Sequence, residues 1–155
     1  MLNKEELLQF LLKARTKTYA GAGGKAQPAF NGSIQLEHRE RDWFYRDVYY
    51  AGPKVFMGLE AIYHQNKPVF SMSYFGSFKG ITEKELDKIL REALIKNWQS
   101  TRIWKRVEWI KGGYKYVCQP DFEGSIDELA GIEKLFKNKK EIYTFFYGGG
   151  TLIKI

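Results

Sequence analysis

The sequence predicts an α+β fold built as a tandem repeat. Each copy is a helix plus a four-stranded antiparallel meander, with the helices packed on antiparallel sheet about a pseudo-twofold axis. Three observations predict it. Apolar residues recur with helical period in two segments, and strand-like alternation fills most of the rest. The second half also repeats the first. With Gly58–Gly76 set against Gly131–Gly149, five of 19 positions are identical: Gly58/Gly131, Glu60/Glu133, Lys67/Lys140, Tyr74/Tyr147 and Gly76/Gly149. Composition alone gives about one. Upstream, Trp43 aligns with Tyr114, Tyr45 with Tyr116, Leu7 with Leu86 and Ala14 with Ala93. The alternative is chance similarity between two aromatic hairpins. Copies of about 75 residues are too small to stand alone, so residues 1–155 are expected to form a single domain of two repeats, about 1–78 and 79–155.

Each element has a local reason. Asn3 and Glu6 have capping-box spacing, and Leu7, Leu8, Leu11 and Leu12 line one face of the helix that follows. Residues 22–33 are rich in Gly, Ala and Asn and read as a loop. At its start, Gly21-Ala22-Gly23-Gly24-Lys25 lacks the preceding strand, the following helix and the Ser/Thr that a phosphate loop requires, so a flexible loop is the better reading. A short strand, Ile34 to His38, turns through Arg39-Glu40-Arg41-Asp42 into strands at 43–50, 55–63 and 68–75. Their connections lie at Gly52-Pro53 and Gln65-Asn66-Lys67. Thr82 and Glu85 then open a second helix, with Leu86, Ile89, Leu90, Ala93 and Leu94 on its apolar face.

Composition excludes several classes. Hydrophobic residues make up 44% of the 155, enough for a core, so the chain is not disordered. A single cysteine, Cys118, excludes an internal disulfide framework and a Cys-based zinc site, and fits a reducing compartment. Two histidines, His38 and His64, are too few for a His-rich metal site. No apolar run approaches membrane-spanning length and the N-terminus is not a signal peptide, so a cytoplasmic protein without metal or cofactor is expected.

Strand parity sorts the side chains. One face of the first copy carries Trp43, Tyr45, Asp47 and Tyr49, then Phe56, Gly58, Glu60 and Ile62, then Phe70, Met72 and Tyr74. The matching face of the second carries Tyr116, Cys118, Gly131, Glu133, Tyr143, Phe145 and Tyr147. Acids on such faces need partners, a raised pKa or access to water. Read functionally, they anchor a ligand in an aromatic pocket made by Trp43, Asp47, Tyr49, Glu60, Phe70 and Tyr74. Read structurally, each glutamate bonds a tyrosine, or backbone amides at a bulge beside Gly58 or Gly131. Gly-x-Glu occurs in both copies, which favours structure for Glu133. Asp47 aligns with Cys118, which makes it the better candidate for function.

Two rivals accompany the small-molecule reading. Asp47 and Glu60 could serve a hydrolase as paired carboxylates. The second rival is a nucleic-acid-binding module. Between Lys96 and Lys115 six basic residues face one acid, which places +5 of the total +7 charge there, with Trp98, Trp104 and Trp109 interleaved. Arg102, Lys105, Arg106 and Lys111 would contact phosphates while tryptophans stack on bases. The same composition suits a linker anchored by its tryptophans, and this is the preferred reading.

The run Asp47-x-Tyr49-x-x-Gly52, Phe56-x-Gly58-x-Glu60 and Pro68-Val69-Phe70-x-Met72-x-Tyr74-x-Gly76, with Tyr19-Ala20-Gly21 and Leu36-Glu37-x-Arg39 upstream, resembles an uncharacterised bacterial domain family. Members occur alone or C-terminal to XRE-type helix-turn-helix regulators. The resemblance implies a non-enzymatic sensory or effector-binding role, with a helix-turn-helix regulator as possible partner, and it carries over no catalytic residues. No stretch of these 155 residues reads as the DNA-reading domain of the fused form. In plan it is also similar to GyrI-like effector-binding domains, where the ligand lies between the copies.

Overall fold

The computed structural model describes residues 2–153. Helix α1 (Lys4–Lys17) starts where the Asn3 side chain accepts the Glu5 N–H at 2.9 Å. Strands β1 (Lys25–Ala26), β2 (Ile34–Glu40), β3 (Trp43–Ala51), β4 (Val55–His64) and β5 (Lys67–Phe78) follow. Helix α2 (Glu83–Lys96) is capped by the Thr82 hydroxyl, which accepts the Glu85 N–H at 3.2 Å. Strands β6 (Val107–Lys111), β7 (Tyr114–Pro120), β8 (Leu129–Lys137) and β9 (Lys140–Thr151) complete the chain. The β4–β5 and β8–β9 loops have two residues each. Gln65, Asn66, Asn138 and Lys139 all have positive φ there, as a twist-matched hairpin turn requires.

The strands form one antiparallel sheet in the order β1-β2-β3-β4-β5-β9-β8-β7-β6. This corrects the expected architecture. The α+β class stands, but the chain is not a tandem repeat of helix plus four-stranded meander with helices packed on each copy's sheet. About half of the residues lie in strands and under a fifth in two helices. The physical reason is edge pairing. β5 and β9 outrun their hairpins, and their open edges pair from Phe70↔Thr151 to Phe78↔Tyr143. That pairing satisfies two rows of backbone groups and leaves the sheet without an internal boundary.

Parity along the strands holds. Tyr45, Ile62, Phe70, Met72, Tyr116, Leu135, Tyr143 and Phe145 are buried in one core with Leu7, Leu11 and Ala14 of α1 and Leu86, Leu90 and Ala93 of α2. The opposite face carries Tyr50, Met57, Phe75 and Phe146 side by side in register, each exposed. No helix among the described residues is long and apolar enough to cross a membrane.

Candidate functional site

On the inner face, Asp47 of β3 lies directly across from Glu60 of β4, and Gly58 lies between Tyr49 and Tyr74. The glycine has a steric purpose. With no side chain at 58, the Tyr74 ring crosses β4 and its hydroxyl donates to Asp47 Oδ1 at 2.5 Å. A Cβ there would come within 2.7 Å of that hydroxyl. Gly131 gives the same room to Tyr147, whose hydroxyl lies 3.6 Å from Cys118 Sγ. The Gly-x-Glu units therefore sit under tyrosines of the next strand.

The two glutamates are saturated. Glu60 is 2% exposed. Arg15, in the last turn of α1, donates to Glu60 through Nη2 and through Nε at 3.2 Å, and Tyr45 adds its hydroxyl at 2.8 Å. The Arg15 Nη1 donates to the carbonyls of Thr101 and Arg102, at 3.4 and 3.1 Å, and so fixes the turn after α2. Glu133 is 0% exposed and accepts Arg102 Nε at 2.8 Å, the Tyr116 hydroxyl at 2.7 Å and the Tyr143 hydroxyl at 3.4 Å. Arg102 has a left-handed backbone (φ 56°), uncommon for a non-glycine residue, and this turns its side chain inward. Its guanidinium lies 4.5 Å above the Phe145 ring.

Asp47 differs. It is 7% exposed, yet Tyr74 is its one hydrogen-bond partner among the described residues. A cavity of about 110 Å³ opens beside it, between the sheet and α2. Tyr49, Phe56, Tyr74, Tyr143 and Phe145 line the sheet side. Leu86, Asp87 and Leu90 line the α2 side, with Glu83 and Arg91 near them and Arg102 also on the wall. The wall is braced, because the Tyr19 hydroxyl donates to Asp87 Oδ1 at 2.8 Å and Arg91 Nε donates to the Tyr19 carbonyl at 2.9 Å. A smaller space of about 30 Å³, room for one or two waters, shares Tyr19, Asp47 and Arg102 and reaches Arg15 and Trp98.

Burial pushes the Asp47 carboxyl up to about 7, against the opposing pull of the Tyr74 hydrogen bond, while the nearby Glu60 charge adds to the rise. Burial also holds the Tyr74 hydroxyl well above its ordinary value, with Asp47 adding to the rise. An aspartate that titrates near neutrality can accept a hydrogen bond as a carboxylate or donate one as an acid.

The structure brings together three of the six residues expected in the pocket: Asp47, Tyr49 and Tyr74. Trp43 is at the far end of β3, with ring centroids 5.3 Å from Phe10 and 4.5 Å from His64. Phe70 is wholly buried in the core, and Glu60 is taken by Arg15 and Tyr45. Of the residues expected at nucleic acid, Arg102 points inward to Glu133. Arg106 pairs with Glu108 at 2.7 Å, Lys111 pairs with Glu92 at 2.5 Å, and Lys105 is exposed. Trp104 and Trp109 pack on the core. Arg15, Tyr19, Phe56 and Asp87 were missed as site residues. Arg15 left a signal, since it follows Leu8, Leu11 and Leu12 at helical spacing and so continues their stripe.

Among the described residues no group of three or more His, Cys, Asp and Glu side chains is placed to hold a metal. No curated protein and no solved structure matches the chain. The chain belongs to the family described as Domain of unknown function (DUF5680), whose model matches residues 47–152, beginning at the cavity carboxylate and ending just past β9.

Proposed function

We propose that the chain is a non-enzymatic small-molecule-binding domain of the sensory kind associated with bacterial transcription regulators, and that its ligand lies against Asp47 in the cavity under α2. One observation carries this reading. Asp47 Oδ2 makes no hydrogen bond among the described residues, although the residue is almost wholly buried beside a cavity walled by aromatic rings. Desolvating a carboxyl costs free energy that an ordinary core position recovers through partners, as Glu60 and Glu133 do. At Asp47 the missing partner is supplied by a ligand. Binding is favoured over two-acid hydrolysis because Glu60, the second acid, is locked in its ion pair.

A metabolite screen by thermal shift tests this. A ligand at a hundredfold excess over its dissociation constant stabilises by about 2.7 kcal/mol, which moves the melting temperature by roughly 5–10 °C. The shift is expected in the wild type and lost in Asp47→Asn. A ligand whose shift persists unchanged in that variant would place the site elsewhere.

A further inference from the structure

The cavity offers two unused polar groups. Arg102 spends Nε on Glu133, and its Nη1 and Nη2 make no hydrogen bond among the described residues. The side chain is 13% exposed, and its unbonded fork opens to the accessible space of the cavity. Asp47 spends Oδ1 on Tyr74 and keeps Oδ2 open. Both residues line the same two spaces, and the Arg102 charge acts on the Asp47 carboxyl. An occupant therefore meets a fixed donor pair and, close to it, a fixed acceptor.

The walls add shape. Phe56 lies 6.3 Å from Tyr143, nearly parallel at 17°, and 6.0 Å from Phe145. Tyr74 stacks on Phe145 at 5.3 Å and 25°. Tyr143 and Phe145 are 1% exposed and form the floor of this stack, while the half-buried Phe56 and Tyr74 border the open space with flat rings, which suit a planar occupant. Size narrows the choice further. A dry cavity of ~150 Å³ holds one benzene ring, so about 110 Å³ limits the occupant to one small ring with its substituents at the rim and excludes a fused system.

We infer that the ligand is a small, planar, single-ring compound with an N–H donor beside a carbonyl or oxyanion acceptor, such as a pyrimidine- or pyridone-type cyclic amide. The N–H meets Asp47 Oδ2 and the oxygen meets the Arg102 fork, while the ring lies against Phe56 and Tyr74. A ring that displaces the cavity's water but lacks either group leaves the Arg102 fork or the Asp47 carboxylate unmet, and this penalises it. This inference rests on the proposed binding role of the cavity and adds the chemistry of the occupant.

Four probes test it by calorimetry and thermal shift on the full chain: uracil (donor and acceptor), benzoate (acceptor only), aniline (donor only) and toluene (neither). Uracil is expected to bind roughly tenfold or more tighter than each of the others, a difference of about 1.4 kcal/mol per tenfold. Asp47→Asn, verified as folded by circular dichroism, should weaken uracil and leave benzoate as tight or tighter, because it removes a negative charge beside the anion. If toluene or benzoate binds as tightly as uracil, the donor–acceptor assignment is wrong while the cavity stays a binding site. If no ring probe binds but the wider screen yields an Asp47-dependent ligand, the planar class is wrong and the binding role survives. If that screen yields no Asp47-dependent ligand, the functional reading fails and this inference goes with it.

Discussion

Asp47 faces Glu60 across β3 and β4, and Cys118 faces Glu133 across β7 and β8. The surroundings correspond closely. A tyrosine on the strand opposite the glutamate, Tyr45 or Tyr116, bonds it, and a tyrosine from the next strand, Tyr74 or Tyr147, crosses a glycine to reach the facing residue. Two features differ. At one place the facing residue is a carboxyl that burial lifts to about 7, and at the other it is a thiol that burial lifts to about 11, away from the physiological range. Arg15 also uses its whole guanidinium, whereas Arg102 uses Nε alone. What is common to both places holds the core together. What differs, a carboxyl in place of a thiol and an open fork in place of a closed one, converges on the cavity.

The largest expected effect breaks the ion pairs. Removing one partner of a buried pair leaves an uncompensated charge and costs about 3–5 kcal/mol. Glu133→Gln strands Arg102, which has no other acceptor among the described residues. Glu60→Gln leaves Arg15 the carbonyls of Thr101 and Arg102. Urea unfolding should therefore show Glu133→Gln as the more damaging of the two. Equal costs would mean that the closed and open forks are energetically alike.

The next effect is in pH. Burial raises the folded-state pKa of Asp47 to about 7, from an ordinary value of 3.8. A raised pKa means that its favourable term is complete below about pH 4 and is lost as pH rises through 7. Asp47→Asn removes that loss. The stability of the variant relative to wild type should grow between pH 4 and pH 8, by about 4 kcal/mol at most, since one pKa unit is worth about 1.4 kcal/mol. Cys118→Ala should stay parallel to wild type over that window, because the thiol titrates far above it. A flat difference for Asp47→Asn would show that the carboxyl is ionised throughout and hydrated in the cavity.

Much of this was legible in the sequence. Period-two alternation gave the inner face, and Asp47 stood out because its aligned residue is a cysteine. Parity fixes a face but not a position along it. Trp43 and Tyr49 share a face yet lie about 20 Å apart at 3.3 Å per residue, so Trp43 falls outside the cavity that Tyr49 lines. Pairing of β5 with β9 was hidden, since no local pattern says which two edges will meet. Arg102 was hidden for another reason. It sits among Lys105, Arg106 and Lys111 in a segment whose charge reads as surface, and one left-handed residue turns it inward. Backbone sign at a single position is not encoded in charge counts.

The smallest effect separates the two glycines. A Cβ on Gly58 would come within 2.5 Å of the Val48 carbonyl and 2.7 Å of the Tyr74 hydroxyl, and one on Gly131 within 2.4 Å of the Tyr147 hydroxyl. Overpacking of this kind costs about 1–3 kcal/mol, so Gly58→Ala and Gly131→Ala should lower thermal stability by similar amounts. Their consequences at the cavity should differ. Displaced Tyr147 loses its contacts with Cys118 and the Ile103 carbonyl, neither of which lines the cavity. Displaced Tyr74 loses Asp47, and that hydrogen bond is what holds the carboxyl down against burial. Its loss should move the Asp47 midpoint above about 7 in Gly58→Ala and leave it in place in Gly131→Ala, read as the side-chain carboxyl shift in a carbon-13 titration. An unmoved midpoint in Gly58→Ala would mean that the tyrosine slides with its partner and that the glycine serves packing alone, as its counterpart does.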